Sequence, residues 1–353
     1  MTDPTFWQKT REMTKRLFLP EWAPQEAVQL TWPHDRTDWA YMLDEVETCF
    51  VRIATAILRH ERLIVVCPDR KRVFGLLPPE LHHRLYCFEL PSNDTWARDH
   101  GGISLLADGR PMIADFAFNG WGMKFAAHHD NLITRRLHAL GLFAEEVTLD
   151  NRLAFVLEGG ALETDGEGTL LTTDSCLFEP NRNAGLSRTA IIDTLKESLG
   201  VSRVLSLRHG ALAGDDTDGH IDTLARFVDT RTIVYVRSED PSDEHYSDLT
   251  AMEQELKELR RPDGQPYRLV PLPMAEALYD GADRLPATYA NFLIINGAVL
   301  VPTYDSHLDA VALSVMQGLF PDREVIGIDC RPLVKQHGSL HCVTMQYPQG
   351  FIR

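Results

Sequence analysis

A thiol beside an imidazole is the first chemistry the chain offers: Gly338-Ser339-Leu340-His341-Cys342 lies almost at its end. Thiolate is the reactive form of cysteine, and positive or dipolar surroundings favour it. Such a pair is weak alone, because a free cysteine is usually a small buried hydrophobe. Partners must come from elsewhere. Three polar motifs offer them: Asn93-Asp94-Thr95-Trp96-Ala97-Arg98-Asp99, Glu158-Gly159-Gly160, and Asp218-Gly219-His220-Ile221-Asp222. Each has an ordinary explanation too: a surface loop with an Arg-Asp ion pair, a strand end, a solvated acidic loop. His220 and Asp222, one residue apart, would share a strand face. The imidazole could then do acid-base work while the carboxylate grips a substrate or holds the ring.

A guanidinium suits a thiol, a histidine and several carboxylates. It is planar and cationic, and its N–H fork matches carboxylates bidentately. Two carboxylates would pin its nitrogens and leave the central carbon open to Cys342. His220 would protonate departing ammonia, and water would then release a urea. Rival chemistries fit less well. Placing Gly219 at the glycine of an EF-hand puts Gly214 and Ala225 at ligand positions, so calcium fails. Papain-like hydrolases carry cysteine before histidine, whereas His220 precedes Cys342.

Recurring elements would position these groups. Apolar spacing predicts a helix over 38–60 after a strand at 28–32, then strands at 63–67 and 86–90. From residue 103 a unit of hairpin, helix and returning strand repeats, with turns near residues 108, 165, 230 and 296. The hairpins are 103–106 with 112–116, 161–163 with 169–172, 223–227 with 232–236, and 291–295 with 299–301. Helices are expected at 130–140, 187–199, 242–259 and 308–319, and returning strands at 146–149, 203–207, 267–270 and 324–328. A period of roughly 60 residues suggests a radial array. With the N-terminal unit this makes five ββαβ-like modules in one domain, 1–353; two unrelated α+β domains are the alternative. The four motifs then occupy corresponding places and converge on an axis.

Bulk properties agree with a globular protein. The 353 residues are 44% hydrophobic and 24% charged, with a formal charge of −16. That charge argues against nucleic acid as a partner and favours small cations. Residues 1–19 show no apolar signal-peptide core, and no apolar run is long enough to span a bilayer. Six scattered cysteines without C-x-x-C imply neither a disulfide framework nor a structural zinc site. The expectation is a reduced, cytoplasmic protein with no membrane partner, no cofactor and no metal. Homo-oligomerisation is left open.

The four motifs, together with Leu30-Thr31-Trp32-Pro33-His34 and the following Val343-Thr344, resemble the agmatine deiminase family, related to bacterial peptidylarginine deiminase. The resemblance implies the five-bladed α/β propeller of the guanidino-group-modifying enzymes. It implies hydrolysis of agmatine to N-carbamoylputrescine, a step of polyamine and putrescine biosynthesis, through a covalent thiouronium on Cys342. By the same resemblance His220 is general acid/base, and Asp99 and Asp222 bind the guanidinium. Glu158 orients the histidine or substrate, Trp96 walls the pocket, and Trp121 lies near it within Phe118-Asn119-Gly120-Trp121-Gly122. Arg98 is read as structural, and His341 as holding its loop. Where the family carries a glycine run, this chain reads Lys335-Gln336-His337, which would stiffen the pocket mouth. Val236-Arg237-Ser238-Glu239-Asp240 departs as well. Another guanidino compound or peptidyl arginine is the alternative substrate. A catalytically silent binding propeller is the non-enzyme alternative, against which the retained thiol speaks.

Overall fold

The computed structural model describes residues 16–353, so most of the N-terminal segment lies outside the described residues. The helix Leu43–His60 buries Val46, Phe50, Ile53 and Ile57 on one face. Asp44 and Glu45 in its first turn and Arg59 and His60 in its last complement the helix dipole. The helix Arg188–Leu199 starts at Ser187, whose side chain accepts the Ala190 amide, and stops at Gly200 in the left-handed conformation.

The sheets repeat one pattern. Strand Ile103–Ala107 pairs antiparallel with Arg110–Ala117, which pairs parallel with Thr148–Val156. Their tight turn places Asp108 and Gly109 at φ 49° and 71°, the twist that matches hairpin strands. The next three sheets are Glu163–Thr164, Thr169–Thr173 and Arg203–Leu207; Ala225–Phe227, Thr232–Arg237 and Arg268–Pro273; and Leu293–Ile295, Ala298–Thr303 and Glu324–Asp329. In each, an antiparallel pair is followed by a parallel one, and a helix makes the crossover.

The fifth sheet is built from both ends of the chain. Thr344–Pro348 pairs antiparallel with Gln25–Thr31, which pairs parallel with Arg62–Cys67 and through it with Leu85–Glu89. This closes a five-bladed α/β propeller. A core cluster running from Val28 and Leu30 through Phe292 and Leu300 to Val343 joins the last two sheets. Several elements were not expected, among them strand Arg16–Phe18, helix Arg70–Leu76 and the hairpin Leu278–Asp280 with Asp283–Leu285, and two departures bear on the site. The closing strand Thr344–Pro348 was not expected as a strand, and residues Ile221–Thr223 form a 3-10 turn where a strand was expected. The shared-face reading of His220 and Asp222 is therefore wrong: a turn, rather than strand alternation, presents them.

Candidate active site

Each blade's first strand is entered from a polar residue two to five positions upstream. Asp99 precedes Ile103, Glu158 precedes Glu163, Asp222 precedes Ala225, Asn291 precedes Leu293, and Cys342 precedes Thr344. The repeat thus brings one chemical group per blade to a common axis.

At that axis Cys342 is buried, its Sγ 3.4 Å from Asn291 Oδ1 and 3.9 Å from Asp222 Oδ2. Asn291 holds the loop by accepting the His341 amide at 2.8 Å and the Cys342 amide at 3.3 Å. Burial pushes the thiol up, and the negative charges of Asp222 and Asp99 push it further.

His220 is fully buried, with Nδ1 3.5 Å from Asp99 Oδ1 and Nε2 3.8 Å from Glu158 Oε2. Neither ring nitrogen has a hydrogen-bond partner among the described residues. Burial favours the neutral ring, but the charge of Asp99, the thiol of Cys176 and Glu158 outweigh it, so the imidazole is held well above its ordinary value. Only glycine fits beside it: a Cβ on Gly160 would lie 2.5 Å from Nδ1 and 2.8 Å from Asp99 Oδ1.

Asp99 accepts the Trp121 indole N–H at 2.9 Å and the Gly160 amide at 3.0 Å. Burial raises its carboxyl to about 6 against the lowering pull of His220, with Asp222 and Glu158 adding to the rise. Glu158 is also buried, yet its carboxyl is lowered, because His220 and Arg182 outweigh desolvation. Arg182 Nε reaches both Glu158 oxygens, at 3.0 and 2.8 Å, and its Nη1 reaches Asp218 at 2.7 Å. Asp222 keeps Oδ1 without a hydrogen-bond partner among the described residues, while Oδ2 accepts from His341 at 2.7 Å.

A cavity opens onto Cys342 and Asp99, walled by Trp96, Trp121 and Phe125 and rimmed by Asp38, Asp94, Asp215 and Asp216. Trp96 is fixed by its indole N–H on Asp94 at 3.0 Å and by Gly338, where a Cβ would lie 2.1 Å from the ring. Gln336 and His337 line the mouth and tie it to neighbouring blades: Gln336 Nε2 donates to the Asp38 carbonyl at 3.2 Å, and His337 Nδ1 lies 2.6 Å from the Gly214 carbonyl.

Of the residues singled out in the sequence, Trp96, Asp99, Trp121 and Cys342 line the cavity, while His220 and Glu158 lie behind Asp99 and Asp222 lies behind Cys342. Arg98 stands apart from the cavity, ion-paired to Glu21 at 3.5 Å. Asn291, Arg182, Cys176 and Glu21 were not anticipated. Asn291 alone had a signal, its place in the repeat. Chemically, the centre brings together a thiol, an imidazole whose charged form is favoured, and two carboxylates.

A family model for the Porphyromonas-type peptidyl-arginine deiminase matches residues 17–348. An agmatine deiminase of Pseudomonas aeruginosa is 32% identical over 352 residues, spanning 93% of this chain and 94% of that protein. Among solved structures, a cysteine-to-serine variant of the C. jejuni agmatine deiminase with substrate bound superposes with a TM-score of 0.88. It is 36% identical, over 96% of this chain and 97% of that one. The agmatine deiminase of Enterococcus faecalis gives 0.87 at 29% identity, over 99% and 98%. An amidinotransferase of Microseira wollei shares the fold alone, with 0.52 at 11% identity over 95% and 98%.

Proposed function

Since the chain belongs to the Porphyromonas-type peptidyl-arginine deiminase family and is a hydrolase of the guanidino C–N bond, we propose that it converts agmatine to N-carbamoylputrescine and ammonia by covalent catalysis on Cys342. The observation that carries this reading is the charge of the cavity. Asp38, Asp94, Asp99, Asp215 and Asp216 line it around Cys342, and no lysine or arginine does among the described lining residues. Agmatine is a dication with a cation at each end, so one end meets Asp99 and Asp222 while the other meets the acidic rim. Free arginine would bring a carboxylate to that rim and be repelled.

The guanidinium enters beside Trp96 and Trp121, its N–H groups donating to Asp99 and to the open Oδ1 of Asp222. Its positive charge offsets the negative charges of Asp222 and Asp99, which with burial hold the thiol protonated, so the sulfur gives its proton to solvent as substrate binds. The thiolate attacks the central carbon, and His220 gives its proton to the departing nitrogen, releasing ammonia from a thiouronium. His220, now neutral, takes a proton from water as it attacks the same carbon. The C–S bond then breaks, the sulfur leaves as thiolate, and the proton shed by the new ureido carbonyl restores the thiol as the product departs. Glu158, anchored by Arg182, keeps the returning imidazolium favourable.

The test is ammonia and ureido-product formation from agmatine, arginine and an arginyl peptide at equal concentration. Agmatine should exceed both by at least ~100-fold in kcat/KM, the discrimination available when a charged group is left unpaired. A preference for the peptide would overturn the substrate assignment.

A further inference from the structure

His341 does not line the cavity, yet both of its ring nitrogens are engaged. Nδ1 lies 2.7 Å from Asp222 Oδ2 and Nε2 lies 2.7 Å from Glu21 Oε2. All three residues are buried. A neutral imidazole has one N–H and one lone pair, so the ring can donate to two ionised carboxylates only when it carries both protons. Glu21 is held in turn: its Oε1 accepts the Ile294 amide at 2.7 Å, and its Oε2 lies 2.9 Å from Arg226 and 3.5 Å from Arg98. Arg226 also donates to Glu163 at 2.5 Å and to the Phe292 carbonyl. Glu21, Glu163 and Asp222 thus face Arg98, Arg226 and His341, and the buried cluster is neutral only while His341 is an imidazolium.

We propose that His341 is a positioning residue: as an imidazolium bridging Glu21 and Asp222, it keeps Asp222 ionised and turned so that one oxygen remains for the substrate guanidinium. This rests on the reading of Asp222 as a guanidinium-binding carboxylate. Burial alone would protonate Asp222, and the bond and charge of His341 are the largest opposing influences. Asp222 faces His341 and Cys342 from the C-terminal loop, His220 from its own turn, Asp99 and Arg98 from the turn after Trp96, and Arg226 from the strand that follows. None of these others bonds to it through a charged N–H among the described residues.

His341→Asn removes a lowering influence on Asp222 directly, and Glu21→Gln does so more gently by removing the anion that favours the imidazolium, so the Asp222 carboxyl rises and protonates at higher pH. The acid limb of kcat/KM should then move upward and steepen from a one-proton toward a two-proton dependence, as Asp222 joins Asp99. At neutral pH the loss should fall mainly on KM, about 10- to 100-fold for His341→Asn. Profiles are taken on whichever guanidino compound the native enzyme turns over best, so failure of the agmatine assignment leaves the bridge tested. A readout free of turnover is the ¹⁵N spectrum of histidine-labelled native protein, in which the signals lost in His341→Asn should be those of a doubly protonated ring. A singly protonated ring, or variants with lowered Tm and an unmoved acid limb, would overturn the proposal. Should His341→Asn not fold, Glu21→Gln and the spectrum of the native protein decide it.

Discussion

Two buried histidines sit between pairs of carboxylates and are held in opposite ways. His341 is clamped at 2.7 Å on both sides. His220 faces Asp99 and Glu158 at 3.5 and 3.8 Å, without a hydrogen bond at either nitrogen among the described residues. A ring that makes two short charged hydrogen bonds has no vacancy for a reacting atom, and moving its proton would break a balanced cluster. A ring held by field alone keeps its charge while leaving its N–H groups free for a leaving group or water. In the proposed mechanism, satisfaction at the nitrogens, more than burial or the company of acids, separates the histidine that organises from the one that reacts.

Exchanging the free ring breaks the comparison most sharply. His220→Asn should lower kcat by about 10³-fold, within the usual range for a general acid/base, and should lower Tm only modestly, because Asp99, its carboxyl already raised by burial, takes up a proton once the imidazolium is gone. A comparable loss of stability would mean that His220 is structural after all. The pH dependence is the next largest effect. With its carboxyl raised to about 6 by burial, Asp99 must lose its proton before it can capture a cation. kcat/KM should therefore fall about tenfold per unit as pH drops below about 6, with one-proton steepness. A limb near the ordinary aspartate value would remove Asp99 from substrate capture. The smallest effect concerns the thiol behind the free ring. Cys176 Sγ lies 3.9 Å from Glu158 Oε2, and it adds to the raised state of His220 after Asp99. Cys176→Ser should change kcat by only about two- to threefold while lowering the alkaline limb of the profile. A larger loss would place this second thiol in the reaction.

Much of this arrangement was legible in the chain. The hairpins announced themselves by alternation and by turns such as Asp108-Gly109, and helical spacing placed Leu43–His60 within a few residues. Convergence of Asp99, Glu158, His220, Asp222 and Cys342 followed from their equivalent places in the repeat. What escaped has physical reasons. Thr344–Pro348 is a strand only because a partner more than 300 residues away, Gln25–Thr31, completes its ladder. The turn at Ile221–Thr223 escaped because alternating residues fit either conformation locally, and tertiary context decides between them. Glu21 and Arg182 are single charged residues whose meaning lies wholly in distant partners, Arg226 and His341 for the first, Glu158 and Asp218 for the second. No spacing rule reports such pairs.

The central claim is that Cys342 is the nucleophile that meets a guanidinium at the axis of the propeller. Treating the native protein with a haloacetamidine, which carries the same planar cation, and locating the adduct by peptide mass spectrometry tests it most directly. A single modification on Cys342, slowed by agmatine and absent from Cys176, is the expected result. Labelling of another cysteine, or of Cys342 at a rate that agmatine does not change, would contradict it.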